Sequence, residues 1–167
     1  MKQQALRAIC SYRTEKIEIG DIDSSSYIST ENLLPNKAGK SSSNSVPASG
    51  KVSRYLPGDT LVSNIRPYFK KIWFADCEGG CSNDVLVFKP ENCSPQYLYW
   101  ILSSDDFFDY ATATSKGTKM PRGDKTAIMA FEIPCQSDEM QQKVVAILNP
   151  LNRKIELNTR INGCLAA

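Results

Sequence analysis

The sequence predicts an α+β protein: a strand-rich domain over residues 1–136, then a long C-terminal helix of coiled-coil type over 137–167. Three observations lead there. Short β-branched or alternating runs bounded by Gly, Pro and Asn recur between residues 16 and 88. Two serine-capped helical patterns follow them. From Ser137 onward, apolar residues fall at 4-3-4 spacing. With 167 residues, 41% of them apolar, the chain is long enough to bury a core of its own. A net charge of +2 is too small to argue for a polyanionic partner, so that case rests on local clustering.

Leu6 and Ile9 read as a short helix or turn, Lys16-Ile17-Glu18-Ile19 as a period-two strand, and Tyr27–Thr30 as a second short strand. Lys37–Lys51, with Ser41, Ser42, Ser43, Ser45 and Ser49 beside Gly39, Pro47 and Gly50, reads as a loop. Gly58-Asp59 turns into a strand over Thr60–Ile65, which Arg66-Pro67 ends. Lys70–Ala75 and Asp84–Phe88 are the next strands, separated by a Gly79-Gly80 turn. Pro67 lacks an N–H, so Ser63–Phe69 belongs at a sheet edge or in a loop. That placement lets Asn64, Arg66, Tyr68, Lys70 and Lys71 reach outward. An aromatic among cations suits a nucleic-acid surface. The alternative puts Tyr68 and Phe69 in the core and leaves the cations solvated.

Ser94 is a good N-cap with Pro95 at the first helical position, and Tyr97, Leu98, Ile101 and Leu102 share a face. Ser104 caps a second helix, with Asp105 and Asp106 in its first turn and Phe107, Phe108 and Tyr110 to bury. The stretch Thr114–Lys125 follows. Four of its twelve residues, Lys116, Lys119, Arg122 and Lys125, are basic, and Gly117, Pro121 and Gly123 keep it a loop. Cations on a shaped loop suit phosphate oxygens, and arginine can fork onto a guanine edge. A solvated surface turn is the plainer reading. Ala130–Ile133 then gives a last strand, stopped by Pro134.

In the tail, Val144, Leu148, Leu151 and Ile155 form the seam, Leu165 falls on its register, and Asn158 and Asn162 fill the positions between. Pro150 is expected to kink or split the helix near Asn149. The seam reads as partner-facing, because a helix of roughly 28 residues at about 1.5 Å per residue overhangs a domain this small.

The chain contains no histidine, which removes Ser-His-Asp and Cys-His nucleophiles, zincin motifs and the usual general base. It has neither a Gly-x-Gly-x-x-Gly nor a Walker-type phosphate loop. Cys77, Cys81 and Cys93 lack the second close pair a zinc site needs, so reduced thiols are expected. No apolar run approaches the roughly 20 residues of a membrane span, and Met1-Lys2-Gln3-Gln4 opens no secretory signal. A cytoplasmic location is the expectation.

Gly58–Phe69 (GDTLVSNIRPYF), Gly79–Val87 (GGCSNDVLV) and Thr114–Lys125 (TSKGTKMPRGDK) together resemble a target recognition domain of type I restriction-modification specificity subunits. Ile133-Pro134, Gln141-Gln142 and Lys154–Asn158 (KIELN) resemble the helix that follows such a domain. The resemblance implies reading of one half of a bipartite double-stranded DNA target. It implies that the helix acts as spacer and docks methyltransferase subunits, with restriction subunits joining that core. It puts S-adenosylmethionine, ATP and magnesium on the partner subunits and no cofactor on this chain, which is non-catalytic by itself. Asn64 and Arg122 become candidates for base contacts; Arg66, Tyr68, Lys70, Lys71, Lys116, Lys119 and Lys125 become candidates for the surrounding DNA surface.

Such subunits usually hold two recognition domains and two helices, whereas one of each is found here. A half-subunit that forms a homodimer through its helix would restore two half-sites by two-fold symmetry. A truncated gene product or fragment is the other reading. Two further functions compete: an interaction module that binds methyltransferase without reading DNA, and a metal-dependent nuclease using Asp59, Asp84 and Asp124.

Overall fold

The computed structural model describes residues 2–43 and 45–165; the side chains at 160 and 163–165 lie outside that description. Two compact units divide the chain, Met1–Cys135 and Gln136–Ala167.

In chain order the first unit contains β1 (Gln3–Ala5), β2 (Cys10–Tyr12), β3 (Lys16–Glu18), β4 (Tyr27–Ile28), β5 (Lys51–Tyr55), β6 (Thr60–Ser63) and β7 (Ile72–Phe74). It continues with β8 (Gly79–Cys81), β9 (Val85–Pro90), α1 (Pro95–Leu102), α2 (Asp105–Ala113), α3 (Lys125–Met129) and β10 (Glu132–Pro134). One four-stranded sheet has the order β2-β9-β6-β7, a second has β3-β5-β8-β4, and β1 pairs with β10.

Strand alternation explains how these layers stack. Leu61, Val85 and Val87 face one way and form a core with Ile28, Leu33, Tyr55, Ala75 and Cys81, which joins the two larger sheets. Residues of opposite parity face the helices: Phe88 meets Phe107 at 6.3 Å between ring centroids, and Phe74 meets Tyr99 at 5.7 Å. Both faces of β6 and β9 are therefore covered. This is why Val85–Phe88 reads as a continuous apolar run rather than an alternating one.

The helix caps follow the sequence pattern. Ser94 Oγ accepts from Tyr97 N–H and Ser104 Oγ accepts from Phe107 N–H, both at 3.2 Å. A buried ion pair fixes the Gly58-Asp59 turn. Arg13 forks onto Asp59 at 2.5 and 2.9 Å, and Asp59 also accepts Leu56 N–H at 2.8 Å.

Four local expectations need correction. Gly79-Gly80 is strand β8 rather than a turn, because neighbouring chain crowds it. A Cβ on Gly79 would lie 2.1 Å from Ser26 O, and one on Gly80 would lie 2.5 Å from a Val52 methyl. The strand expected at Ala130–Ile133 starts later, at Glu132, and is preceded by α3, whose N-cap Asp124 accepts from Thr126 and Ala127 N–H. The serine-rich loop ends in β5, a strand that begins at Lys51. Ser63 is the last residue of β6, an inner strand of its sheet rather than an edge. From Asn64 the chain is outside the strands, with Ile65 bridging Arg122, and it turns through a 3-10 turn over Pro67–Phe69.

The second unit is α4 (Asp138–Leu165), with Asp138 and Glu139 in its first turn and Lys143 paired with Glu139 at 2.6 Å. The helix runs unbroken through Pro150, so the split near Asn149 does not occur. No helix among the described residues is long and apolar enough to cross a membrane.

Candidate nucleic-acid interface

Where β6 leaves its sheet, the backbone is handed from one loop to the other. Asn64 N–H donates to Asp84 O at 2.8 Å, Gly123 N–H donates to Asn64 O at 3.0 Å, and Arg66 N–H donates to Pro121 O at 2.8 Å. The basic loop closes on itself through reciprocal bonds between Lys116 and Arg122 at 2.8 and 2.9 Å, with Gly117 (φ +99°) near its tip. The Arg66 segment and the basic loop, which look independent in sequence, thus form one surface.

On that surface Arg66, Tyr68, Lys116, Lys119, Arg122 and Lys125 are exposed. Arg122 forks onto Asp84 at 3.1 and 3.4 Å, which sets its guanidinium plane. Lys116 pairs with Asp124 at 2.6 Å; it holds that carboxyl below its ordinary range, and the carboxylate raises the lysine in turn. Among the described residues, Arg66, Lys119 and Lys125 carry no ion pair.

Three candidates sit differently from the outward-reaching arrangement expected. Asn64 is buried, and its Oδ1 has no hydrogen-bond partner. A Cβ on Gly123 would approach that oxygen to 2.8 Å, so glycine is what lets the loop cross here. Lys71 Nζ donates to Thr30 O at 2.6 Å, and partial burial lowers its pKa. Lys70 is drawn onto Asp105 at 2.7 Å, where Lys37 joins it at 2.8 Å. The two ammonium groups bring the Asp105 carboxyl down to about 2. Lys37, Phe69 and Asp105 were not foreseen at this surface. Lys37 lies in what reads as a solvated loop, and nothing local announces its pairing with a segment some thirty residues later.

The acidic residues that a nuclease would use are committed elsewhere. Asp59 is buried against Arg13, Asp84 faces Arg122, and Asp124 caps α3 while holding Lys116. No group of three or more Cys, Asp or Glu suited to a metal ion occurs among the described residues, and the five described cysteines are free thiols.

In the helical unit, Val144 and Leu148 are half-buried, whereas Leu151 and Ile155 are 54% and 64% exposed. The side chain of Leu165 lies outside the described residues. Ile147, Leu157 and Ile161 are exposed as well, so the apolar surface is broader than the seam read from the spacing.

The first unit is thus a layered domain with a cationic loop surface, and the second is an amphipathic helix. Residues 10–165 match the model of the type I restriction modification DNA specificity domain. The chain belongs to that family. It is 31% identical over 115 residues to the type I restriction enzyme HindI specificity subunit of Haemophilus influenzae, an alignment covering 65% of this chain and 25% of the relative. Two solved structures share the fold at 18% identity, each covering 97% of this chain and 44% of the other. One, from work on complex assembly and conformational transition of the type I R-M system, has a TM-score of 0.69. The second is the HsdS subunit from Thermoanaerobacter tengcongensis, at 0.68. The S subunit from M. genitalium superposes at 0.61 with 12% identity, over 93% of this chain and 40% of the other. The chain therefore spans less than half the length of these relatives.

Proposed function

We propose that this chain is a non-catalytic DNA-recognition component of a type I restriction-modification complex. The domain over residues 1–136 reads one half of a bipartite double-stranded target, and the helix over 137–167 docks methyltransferase subunits. One observation carries this reading: in a member of the specificity family, the backbone welds the Arg66 segment to the basic loop as a single cationic surface. Arg122 is the base-reading candidate, because Asp84 already orients its fork and an exchange onto a guanine edge leaves its plane unchanged. Lys116, Lys119 and Lys125 position the phosphate backbone. Asn64 supports the loop from beneath.

S-adenosylmethionine, ATP and magnesium belong on the methyltransferase and restriction partners in this scheme, and the assembly works in the cytoplasm. The exposed apolar face of α4 also favours a second reading, an interaction module that binds methyltransferase without reading DNA. Mapping methylated adenines in cells that carry this chain and its methyltransferase separates the two. Replacing residues 114–125 should abolish or redirect the methylated sites. An unchanged site map rules out the loop as reader, and no methylation with either chain favours the interaction module.

A further inference from the structure

Among the described residues, four other than glycine have positive φ: Asn36 (56°), Lys37 (62°), Arg66 (50°) and Lys70 (52°). Left-handed backbone crowds any residue that has a Cβ, so its clustering demands a cause. All four lie in one patch. Asn36 N–H donates to Phe69 O and Lys37 N–H to Lys70 O, both at 2.9 Å. Phe69 N–H returns to Arg66 O at 3.0 Å, and Lys70 N–H to Pro67 O at 2.9 Å. Two left-handed residues thus bracket the turn Pro67–Phe69, and two more buttress it from a distant loop. Strain of this kind persists where surroundings over-determine it, and it concentrates at ligand contacts.

The shape so held presents an aromatic tip. Tyr68 is 48% exposed and Phe69 39%, with ring centroids 4.8 Å apart. Arg66, Lys70 and Lys37 flank the tip, the two lysines sharing Asp105. Met120, 45% exposed, is on the basic loop, whose neighbouring Pro121 accepts the Arg66 N–H. Apolar rings ringed by cations complement a polyanion that has flat apolar faces.

We propose that Arg66–Lys70, braced by Asn36–Lys37, is a second DNA-contacting element beside the basic loop. Tyr68 and Phe69 press against base and sugar surfaces, and Lys37, Arg66 and Lys70 take flanking phosphates. On binding, Lys37 and Lys70 exchange the Asp105 carboxylate for phosphate oxygens. This rests on the reading of the domain as a DNA-recognition module.

The test uses the full chain assembled with its methyltransferase, a random-sequence duplex pool, and salt titrations on the selected duplex. Tyr68→Ala with Phe69→Ala should weaken binding at least tenfold without changing the salt slope, since rings displace no counterions. Each phosphate contact contributes about 0.9 to that slope. Lys37→Ala with Lys70→Ala should therefore flatten it by nearly two, and Arg66→Gly by about one, because glycine keeps the left-handed turn. Asn36→Gly should retain binding. If these aromatic and cation variants bind with unchanged affinity and slope while Lys119→Ala with Arg122→Ala abolishes binding, the proposal falls and the DNA reading stands. If the unsubstituted assembly selects no duplex, both fall.

Discussion

Arg13 and Asp59 place opposite charges where their side chains are only 7% and 2% exposed. Removing Asp59 takes away the forked partner and leaves Arg13 only the exposed Glu15, a loss of about 3 kcal/mol, at the lower end for a broken buried pair. Asp59→Ala is expected to lower urea-unfolding stability by that amount, with Leu56 N–H also left without its acceptor. Asp105 behaves differently because it lies at the surface. Its folded pKa of about 2 lies below the unfolded value. The small stabilisation it contributes is therefore present above about pH 3.9 and lost as pH falls toward 2. Carboxyl NMR titration should find Asp105 ionised down to that range, and Lys37→Ala with Lys70→Ala should return its midpoint toward the ordinary aspartate value.

At the scale of elements, α3 shows how a single side chain serves two structures. Asp124 Oδ1 accepts the Thr126 and Ala127 N–H groups while Oδ2 holds Lys116. Losing such a cap costs about 1 kcal/mol. Asp124→Ala should show that loss in thermal or chemical unfolding, and it should free Lys116 at the same time. The capped helices α1 and α2 were legible because Ser94 and Ser104 stand directly before apolar periodicity. α3 was not, since it is five residues long and its cap belongs to the charge pattern of the basic loop. Strand β8 was hidden for the opposite reason. Glycine usually signals a turn, and here it signals the absence of room.

At the scale of the molecule, the helical unit carries the question of assembly. Ile147, Leu151, Ile155, Leu157 and Ile161 are all about half exposed or more. Burying a leucine or isoleucine contributes roughly 1.5–3 kcal/mol, so a covering partner has much to gain. Pairing of two copies through this helix would cover the stripe. Sedimentation of the purified chain at tens of micromolar should then show a dimer, which Leu151→Asp with Ile155→Asp converts to monomer while the recognition domain stays folded. A monomer insensitive to those substitutions would leave the helix as a docking element for another subunit.

Local pattern was enough for the α+β class, the two serine caps, the apolar centre and the long amphipathic tail, because each depends on neighbours within a few residues. The family motifs were legible in the same way. What the chain could not announce was the purpose of individual residues inside those motifs. Asp59 looked like a carboxylate available for chemistry and proved to be half of a buried ion pair. Asn64 reads as an outward-reaching base contact and is buried where the basic loop crosses, whereas Lys37 reads as loop and lies against Lys70 and Asp105. Burial, charge pairing and backbone strain depend on which distant segments meet. Those meetings, Asn36 with Phe69, Arg66 with Pro121 and Ser26 with Gly80, exist only once the tertiary structure has closed.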